Sequence, residues 1–339
     1  MNNVFVYCEI EGTTVVDVSL ELLSKGRKLA NTLGVQLECI CAGKGLDGIE
    51  KQVFPYGVDK VHVFDAEGLF PYTTNPHASL VVNLFKEEQP QICLLGATVI
   101  GRDLGPRISS AMHSGLTADC TELEIDSFEM SIGGVKKFYE NQLCQIRPAF
   151  GGNIIATIVN ARNWPQMATV REGVMKPLPR EEGRKGELVK HSAHLDGIEI
   201  PVEVVEIVRK ASTVNLKGAR IIVCGGAGVG SKENFKLLHD LAGVLGGAVG
   251  GSRAAVDLGY CEHERQIGQT GVTVRPALMI SCGVSGAVQH LAGMQDSAKI
   301  IAINTDKDAP IFKVAHYGIV GDLNVVIPKL IKAIRAKGE

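Results

Sequence analysis

Apolar and polar positions along the first part of the chain switch repeatedly between a period near two and a period near 3.6. Val4–Ile10 reads as a strand that Glu11-Gly12 breaks. Leu20, Leu22, Leu23, Leu29 and Leu33 fall at near-helical spacing and predict a helix over Ser19–Leu33, ended by Gly34. Gln36–Ala42 and Val61–Phe64 read as the next two strands, and His77–Phe85 carries a helix. Ile92–Gly96 is wholly apolar, which suits a strand buried on both faces of a parallel sheet. A further helix is predicted over Arg107–His113, after Pro106. Strands alternating with helices imply βαβ units and a doubly wound sheet.

From Cys120 to Val170 the pattern changes to short strands with turn signals at Gly133-Gly134 and Gly151-Gly152. It predicts an antiparallel or mixed extension of the same domain. Pro177–Gly186 is charged and rich in Pro and Gly, and reads as a loop. Ile198–Ile207 alternates again. The boundary is expected near Ser212, giving domains over 1–210 and 211–339. The second domain restarts the alternation, with strands at Arg220–Cys224, Ala277–Cys282 and Ile300–Asn304. Its helices are predicted at Lys232–Leu245, Ala287–Gly293 and Ile327–Ala336. The expected fold class is α/β: two doubly wound domains, Rossmann-like or flavodoxin-like, the first with a mixed-strand extension. A hinge at 205–216 would let the second domain swing as a unit.

Composition changes this picture little. A chain of 339 residues can bury two cores, and 45% hydrophobic with 21% charged residues is ordinary for a water-soluble protein. A net charge of −2 gives no broad pull toward nucleic acid or membrane. No window reaches the roughly 18 apolar residues of a membrane span, and Met1–Tyr7 lacks the charged and apolar regions of a cleaved export signal. A cytoplasmic protein without membrane insertion is expected. The nine Cys are scattered without a CxxC. Cys39 and Cys41 would share one strand face, but two thiols do not make a metal site, so buried reduced thiols are expected and no metal.

Candidate chemistry gathers in the second domain. Cys224–Ser231 (Cys-Gly-Gly-Ala-Gly-Val-Gly-Ser) follows a strand and opens a helix, yet Ser231 stands where a dinucleotide fingerprint has its third glycine. The acidic ribose ligand expected about 20 residues on is missing, since Val249–Arg253 offers Arg instead. A stand-alone nicotinamide-dependent oxidoreductase is therefore disfavoured, while the loop can face a diphosphate or be a tight turn only. Gly250–Asp257, Gln266–Gly271 and Gly283–Met294 are glycine-rich loops that lead toward helices. They bring their backbones close to a phosphate or a flat ring. Arg253 either faces such a ring or pairs with Asp257 on the surface. Thr270 reads as a turn residue, His290 as a packed or capping residue, and Ser285-Gly286 as an anion-binding entry to a helix. In the first domain, Gly101–Arg107 binds an anion or opens a helix with an Arg–Asp pair. No nucleophile–base pair emerges, so the catalytic roster is empty. A nucleotide-binding regulatory module without redox chemistry stays open at this point.

Five blocks decide between these readings. They are Gly250–Asp257 (Gly-Gly-Ser-Arg-Ala-Ala-Val-Asp), Gln266–Gly271 (Gln-Ile-Gly-Gln-Thr-Gly), Gly283–Met294, Ile301–Phe312 and Tyr317–Leu323. In this order they closely resemble the alpha subunit of electron transfer flavoprotein. The resemblance implies FAD on the second domain, a beta-subunit partner forming a heterodimer, and an electron carrier rather than a stand-alone enzyme. It implies that Arg253 lies beside the isoalloxazine, that Thr270 reaches its N5 region and His290 its N1/O2 edge. Ser252, Ile267, Gly268 and Gln269 would line the same cleft. Ser285, Gly286, Ala287, Val288 and Gln289 would hold the diphosphate and ribityl chain, and Asn304, Asp322 and Leu323 the adenosine end. Where the family has Gly-Gly-Arg-Gly, this chain has Ala227 between Gly226 and Gly228, so only a backbone N–H remains there. Gly96–Arg107, Leu116–Cys120 and Arg147–Asn153 resemble alpha subunits from anaerobes. Those work in electron bifurcation, with NADH oxidised at a beta-subunit FAD. An acyl-CoA dehydrogenase-type partner is implied, with ferredoxin or flavodoxin as a further acceptor. The alternative is a conventional carrier fed by acyl-CoA dehydrogenases.

Overall fold

A computed structural model describes residues 3–132, 135–149, 154–195, 197–208 and 215–338. Two compact units emerge, one holding the chain to Ala149 and Ile154–Ile207, the other the chain from Val208. The expected boundary near Ser212 and half of the expected hinge fall on 209–214, outside the described residues, as do the turns at 133–134 and 151–152.

The first unit contains strands β1 (Val4–Cys8), β2 (Ile10–Glu11), β3 (Thr14–Val15), β4 (Leu37–Gly43), β5 (Lys60–Asp65), β6 (Ile92–Gly96), β7 (Leu116–Cys120), β8 (Glu122–Ile132), β9 (Val135–Ala149), β10 (Ile154–Ile158), β11 (Gln166–Val170) and β12 (Glu187–His191). Its α-helices are α1 (Asp17–Leu33), α2 (Glu50–Val53), α3 (Thr74–Glu88) and α4 (Val99–Ala111). Seven strands form one parallel sheet in the order β12-β5-β4-β1-β6-β11-β7. Apolar residues of α1 pack on one face with Val4, Val6 and Leu37. Those of α3 and α4 pack on the other with Phe5, Tyr7 and Ile40. Gly34 ends α1 in the left-handed conformation, its N–H turned back on the helix carbonyls.

Several expectations change. The predicted helix at Arg107–His113 begins at Val99 instead, capped by the Thr98 hydroxyl, which accepts from the Gly101 N–H. Pro106 sits inside this helix, where it loses one hydrogen bond without ending it. Gly101–Arg107 is thus helical. The Arg–Asp pairing expected within it is made outward, Arg102 lying 3.5 Å from Asp119 of β7. The Asp103 carboxylate accepts instead from Tyr72 and Thr74. Between Cys120 and Val170, β8 and β9 are long, and with the short β10 they form a separate antiparallel sheet. A register shift at Asp126/Phe128 interrupts the alternation and makes one hairpin read as several short strands. The edge strand β12 follows the expected loop at Pro177–Gly186, in a stretch for which no element was predicted, and Ile198–Ile207 carries no strand.

The second unit contains β13 (Ile221–Gly225), β14 (Ala248–Gly251), β15 (Leu278–Cys282), β16 (Ile300–Asn304) and β17 (Tyr317–Val320). Its helices are α5 (Phe235–Leu245), α6 (Arg253–Asp257), α7 (Val288–Leu291) and α8 (Leu323–Gly338). All five strands are parallel, in the order β14-β13-β15-β16-β17. This is the doubly wound flavodoxin-like order. One face is covered by α5 and α8 through Leu238, Leu241 and Ile327. The other is covered largely by connecting segments, with Leu216, Ile267, Val284, Met294 and Ile311. Helix α5 starts at Phe235 rather than Lys232, because the Ser231 hydroxyl and the Asn234 amide hold the preceding turn.

Candidate functional site

The chain runs from β13 to β14 on one side and later returns to β15 on the other. In open parallel sheets the crevice at such a reversal, beyond the carboxyl ends of the strands, is where ligands sit. Here its floor is backbone. The Gly226 N–H donates to the Cys282 carbonyl at 2.9 Å, and the Gly228 N–H to the Gly283 carbonyl at 3.0 Å. A Cβ on Gly226 would lie 2.1 Å from the Gly283 oxygen, so only glycine permits this approach. Ala227 is exposed beside it, in a short 3-10 turn rather than at the start of α5.

Beyond β15, Val284 is buried and Ser285 emerges, its carbonyl accepting from the Ile311 N–H. Gly286 follows with φ +87, and a Cβ there would meet the Ile311 nitrogen at 2.3 Å. Among the described residues, nothing accepts from the backbone N–H groups of Ser285, Gly286, Ala287, Val288 or Gln289. Such a run of bare donors suits an anion without needing a basic side chain. The predicted helix over Ala287–Gly293 is a single turn. The Gln289 carbonyl accepts from Gln269, and the Gly293 N–H turns to His290 instead.

Ser252 is buried and spends its hydroxyl capping α6, while its N–H donates to Gly225. Arg253 opens α6 with its side chain 71% exposed, its Nε 3.4 Å from Asp257. An exposed pair of this kind is worth about 1 kcal/mol or less. The guanidinium is lightly tethered at the edge of the crevice. Ile267 is buried, its N–H bonded to Gly251, and Gly268 passes against the Gln289 backbone. Gln269 and Thr270 are exposed, the Thr270 hydroxyl accepting from the Gln266 amide at 2.9 Å.

His290 is buried beneath this loop. Its Nδ1–H donates to the Ile267 carbonyl at 2.9 Å, which leaves Nε2 as an acceptor, 4.0 Å from the Cys224 sulfur. Burial holds its pKa below the usual value, against the opposing effect of the Ile267 bond, and keeps the ring neutral. Asn304, at the end of β16, binds the Val284 carbonyl through its amide and the Asp306 N–H through its oxygen. Asp322 accepts from Asn324 at the start of α8, and Leu323 is buried in the core, offering a ligand only its backbone.

The sequence profile of the electron transfer flavoprotein domain matches residues 4–196, and that of the electron transfer flavoprotein FAD-binding domain matches residues 215–295. The chain belongs to the electron transfer flavoprotein alpha-subunit family. The electron transfer flavoprotein subunit alpha of Thermoanaerobacterium thermosaccharolyticum is 46% identical over 334 residues, 98% of each chain. Protein FixB of Clostridium saccharobutylicum is 47% identical over 330 residues, 97% of this chain and 95% of that one. The acryloyl-CoA reductase electron transfer subunit beta of Anaerotignum propionicum is 42% identical over 351 residues, covering 98% of this chain and 95% of that one.

The cofactor of this family's second domain is FAD, and the residues present fit it. The free N–H run at 285–289 matches a diphosphate, and the Gly226–Gly283 contact keeps side chains out of the crevice floor. Other features escaped the sequence reading. Cys224 lies against His290, and in the first unit Glu38, His62 and His191 form a hydrogen-bonded row across three strands. No spacing along the chain signals either, because the first comes from α7 packing on β13 and the second from the pairing of β4, β5 and β12.

Proposed function

We propose that the second unit holds FAD at its crest and passes electrons from NADH, oxidised at a flavin of a beta subunit, to an acyl-CoA dehydrogenase-type partner in flavin-based electron bifurcation. The observation that carries the reading is the run of five unpaired N–H groups at Ser285–Gln289, at the reversal point of a flavodoxin-like sheet. An acyl-CoA-type partner is supported by the relative named as an electron transfer subunit of acryloyl-CoA reductase. Bound there, FAD supplies one- and two-electron redox chemistry.

The chain's residues supply binding and electrostatics. Ser285–Gln289 hold the diphosphate and ribityl chain through backbone donors, and Ala227 adds only its own N–H. Arg253 exchanges its weak tie to Asp257 for the ring, where a fixed cation favours the charge that reduction brings. Thr270 turns its hydroxyl toward the N5 region. His290 stays neutral, and its ring would have to turn Nε2 from the Cys224 sulfur to meet the N1/O2 edge, while Ser252, Ile267, Gly268 and Gln269 shape the cleft. Asn304, Asp322 and the Leu323 backbone receive the adenosine end. The region to residue 210 contacts the beta subunit, and ferredoxin or flavodoxin serves as a further acceptor.

The test is the flavin and nucleotide content of the purified heterodimer, together with its response to NADH. Two FAD per heterodimer and reduction by NADH are expected. One FAD with one AMP, and no reduction by NADH, would overturn bifurcation in favour of a conventional carrier.

A further inference from the structure

Ile198–Val204 has the residue pattern of a strand but is not one. Ile198, Ile200, Val202 and Val204 alternate with Glu199, Pro201 and Glu203. Every residue from Glu199 to Val208 is exposed, and Ile200, Val202, Val204, Val205, Ile207 and Val208 are 40–90% open to solvent. So many bare β-branched side chains in one short stretch mark a surface that a partner covers. Among the described residues, no backbone N–H or C=O of Ile200–Val208 has a hydrogen-bond partner.

The two backbone edges of this stretch differ. In an extended chain the N–H and C=O of one residue point to one edge, and those of its neighbour to the other. On the edge of Glu199, Pro201 and Glu203, the Glu199 carbonyl already accepts from the Asn75 amide of α3 at 2.8 Å. That edge also lacks an N–H at Pro201, which a sheet tolerates only on its unpaired side. The edge of Ile200, Val202 and Val204 keeps every donor and acceptor, and none is engaged.

We infer that Ile198–Val204 becomes an added strand in the heterodimer, pairing through Ile200, Val202 and Val204 with an exposed sheet edge of the beta subunit. The inference rests on the beta-subunit partner of the reading above. A permanent partner fits better than a passing electron acceptor, because an apolar stripe left bare between encounters invites aggregation, and obligate interfaces are the more apolar ones. The permanent partner that the alpha-subunit family implies is the beta subunit. Its edge should carry apolar side chains beside Ile200, Val202 and Val204, and a Lys or Arg across from Glu199 or Glu203.

Two proline substitutions separate the edges in the intact, FAD-loaded heterodimer. Val202→Pro removes an N–H from the pairing edge and should weaken subunit affinity at least about tenfold. Glu203→Pro removes one from the other edge and should change affinity by no more than about twofold. In the native heterodimer, amide exchange resolved to single residues should be slowed at Ile200, Val202 and Val204 and fast at Glu203. Equal effects of the two prolines, or fast exchange at all four residues, would overturn the inference. Slowed exchange with affinity unchanged by Val202→Pro would overturn it too, since something other than the beta subunit would then cover the stretch. A four-chain assembly that Val202→Pro splits into heterodimers would assign it instead to a second copy of this chain. If the subunits do not copurify, the reading above falls with the inference; if they do and exchange stays fast, the inference falls alone.

Discussion

At the residue scale the proposed FAD site is tested most sharply at Arg253 and Ala227. Arg253 holds a full charge at the edge of the crevice and gives up little by leaving Asp257. Arg253→Ala should lower the midpoint potential of the alpha-subunit flavin by about 30 mV or more, which is roughly 1.4 kcal/mol on a two-electron couple. Arg253→Lys should recover only part, because a point charge does not reproduce a planar guanidinium. A dye-referenced reductive titration reads this, and an unchanged potential with FAD still bound would contradict the assignment. Ala227 is exposed beside the glycine floor, where an Arg could reach a phosphate. A charge-assisted hydrogen bond contributes about 1.5–3 kcal/mol, so Ala227→Arg should slow FAD loss on dilution by roughly tenfold to a hundredfold. Equal or faster loss would mean that another group already fills that role.

Elements were legible where their own burial wrote the pattern. Ile92–Gly96 is buried on both faces, and the strand has the bounds its apolar run predicted. The start of α4 was hidden by Pro106, since the sequence does not reveal that its neighbours hold the helix together despite one lost bond. The bare donors at 285–289 were foreshadowed by Ser285-Gly286 read as a helix entry, since they lie just before α7 and in its first turn, where no preceding turn offers carbonyls. Strand β12 was missed because its burial is slight and its support comes from across the sheet. That support includes the His62 Nδ1 to His191 Nε2 contact at 2.8 Å, with the Glu38 carboxylate 2.6 Å from His62 Nε2. Two facing imidazole nitrogens cannot both carry protons at that distance. Burial, then His62, hold the His191 pKa below its usual 6.5, although Glu87 and Glu88 oppose them and Lys60 adds to them. A histidine lowered in the folded state contributes stability that is full above about 6.5 and lost as pH falls through the lower folded value. Protection against amide exchange at Glu187–His191, after correction for the slower intrinsic exchange at lower pH, should therefore fall on mild acidification more than in β4, and His191→Asn should remove the difference. An equal response of β12 and β4 in the native protein would refute this coupling.

At the scale of the whole molecule, each unit carries its own two-faced core, and among the described residues no helix is long and apolar enough to cross a membrane. The family match spans both units, yet the geometry suited to FAD gathers on one edge of the second sheet. Four glycine-rich segments distant in sequence, 225–230, 250–253, 266–271 and 283–290, meet there through backbone hydrogen bonds. The most direct test compares hydrogen–deuterium exchange of the heterodimer with FAD bound and with FAD removed. Binding at this crest predicts that FAD slows exchange at Ser285–Gln289 most strongly, and also in the other three segments. Unchanged exchange at Ser285–Gln289, with protection confined to the first unit or to the beta subunit, would contradict the account.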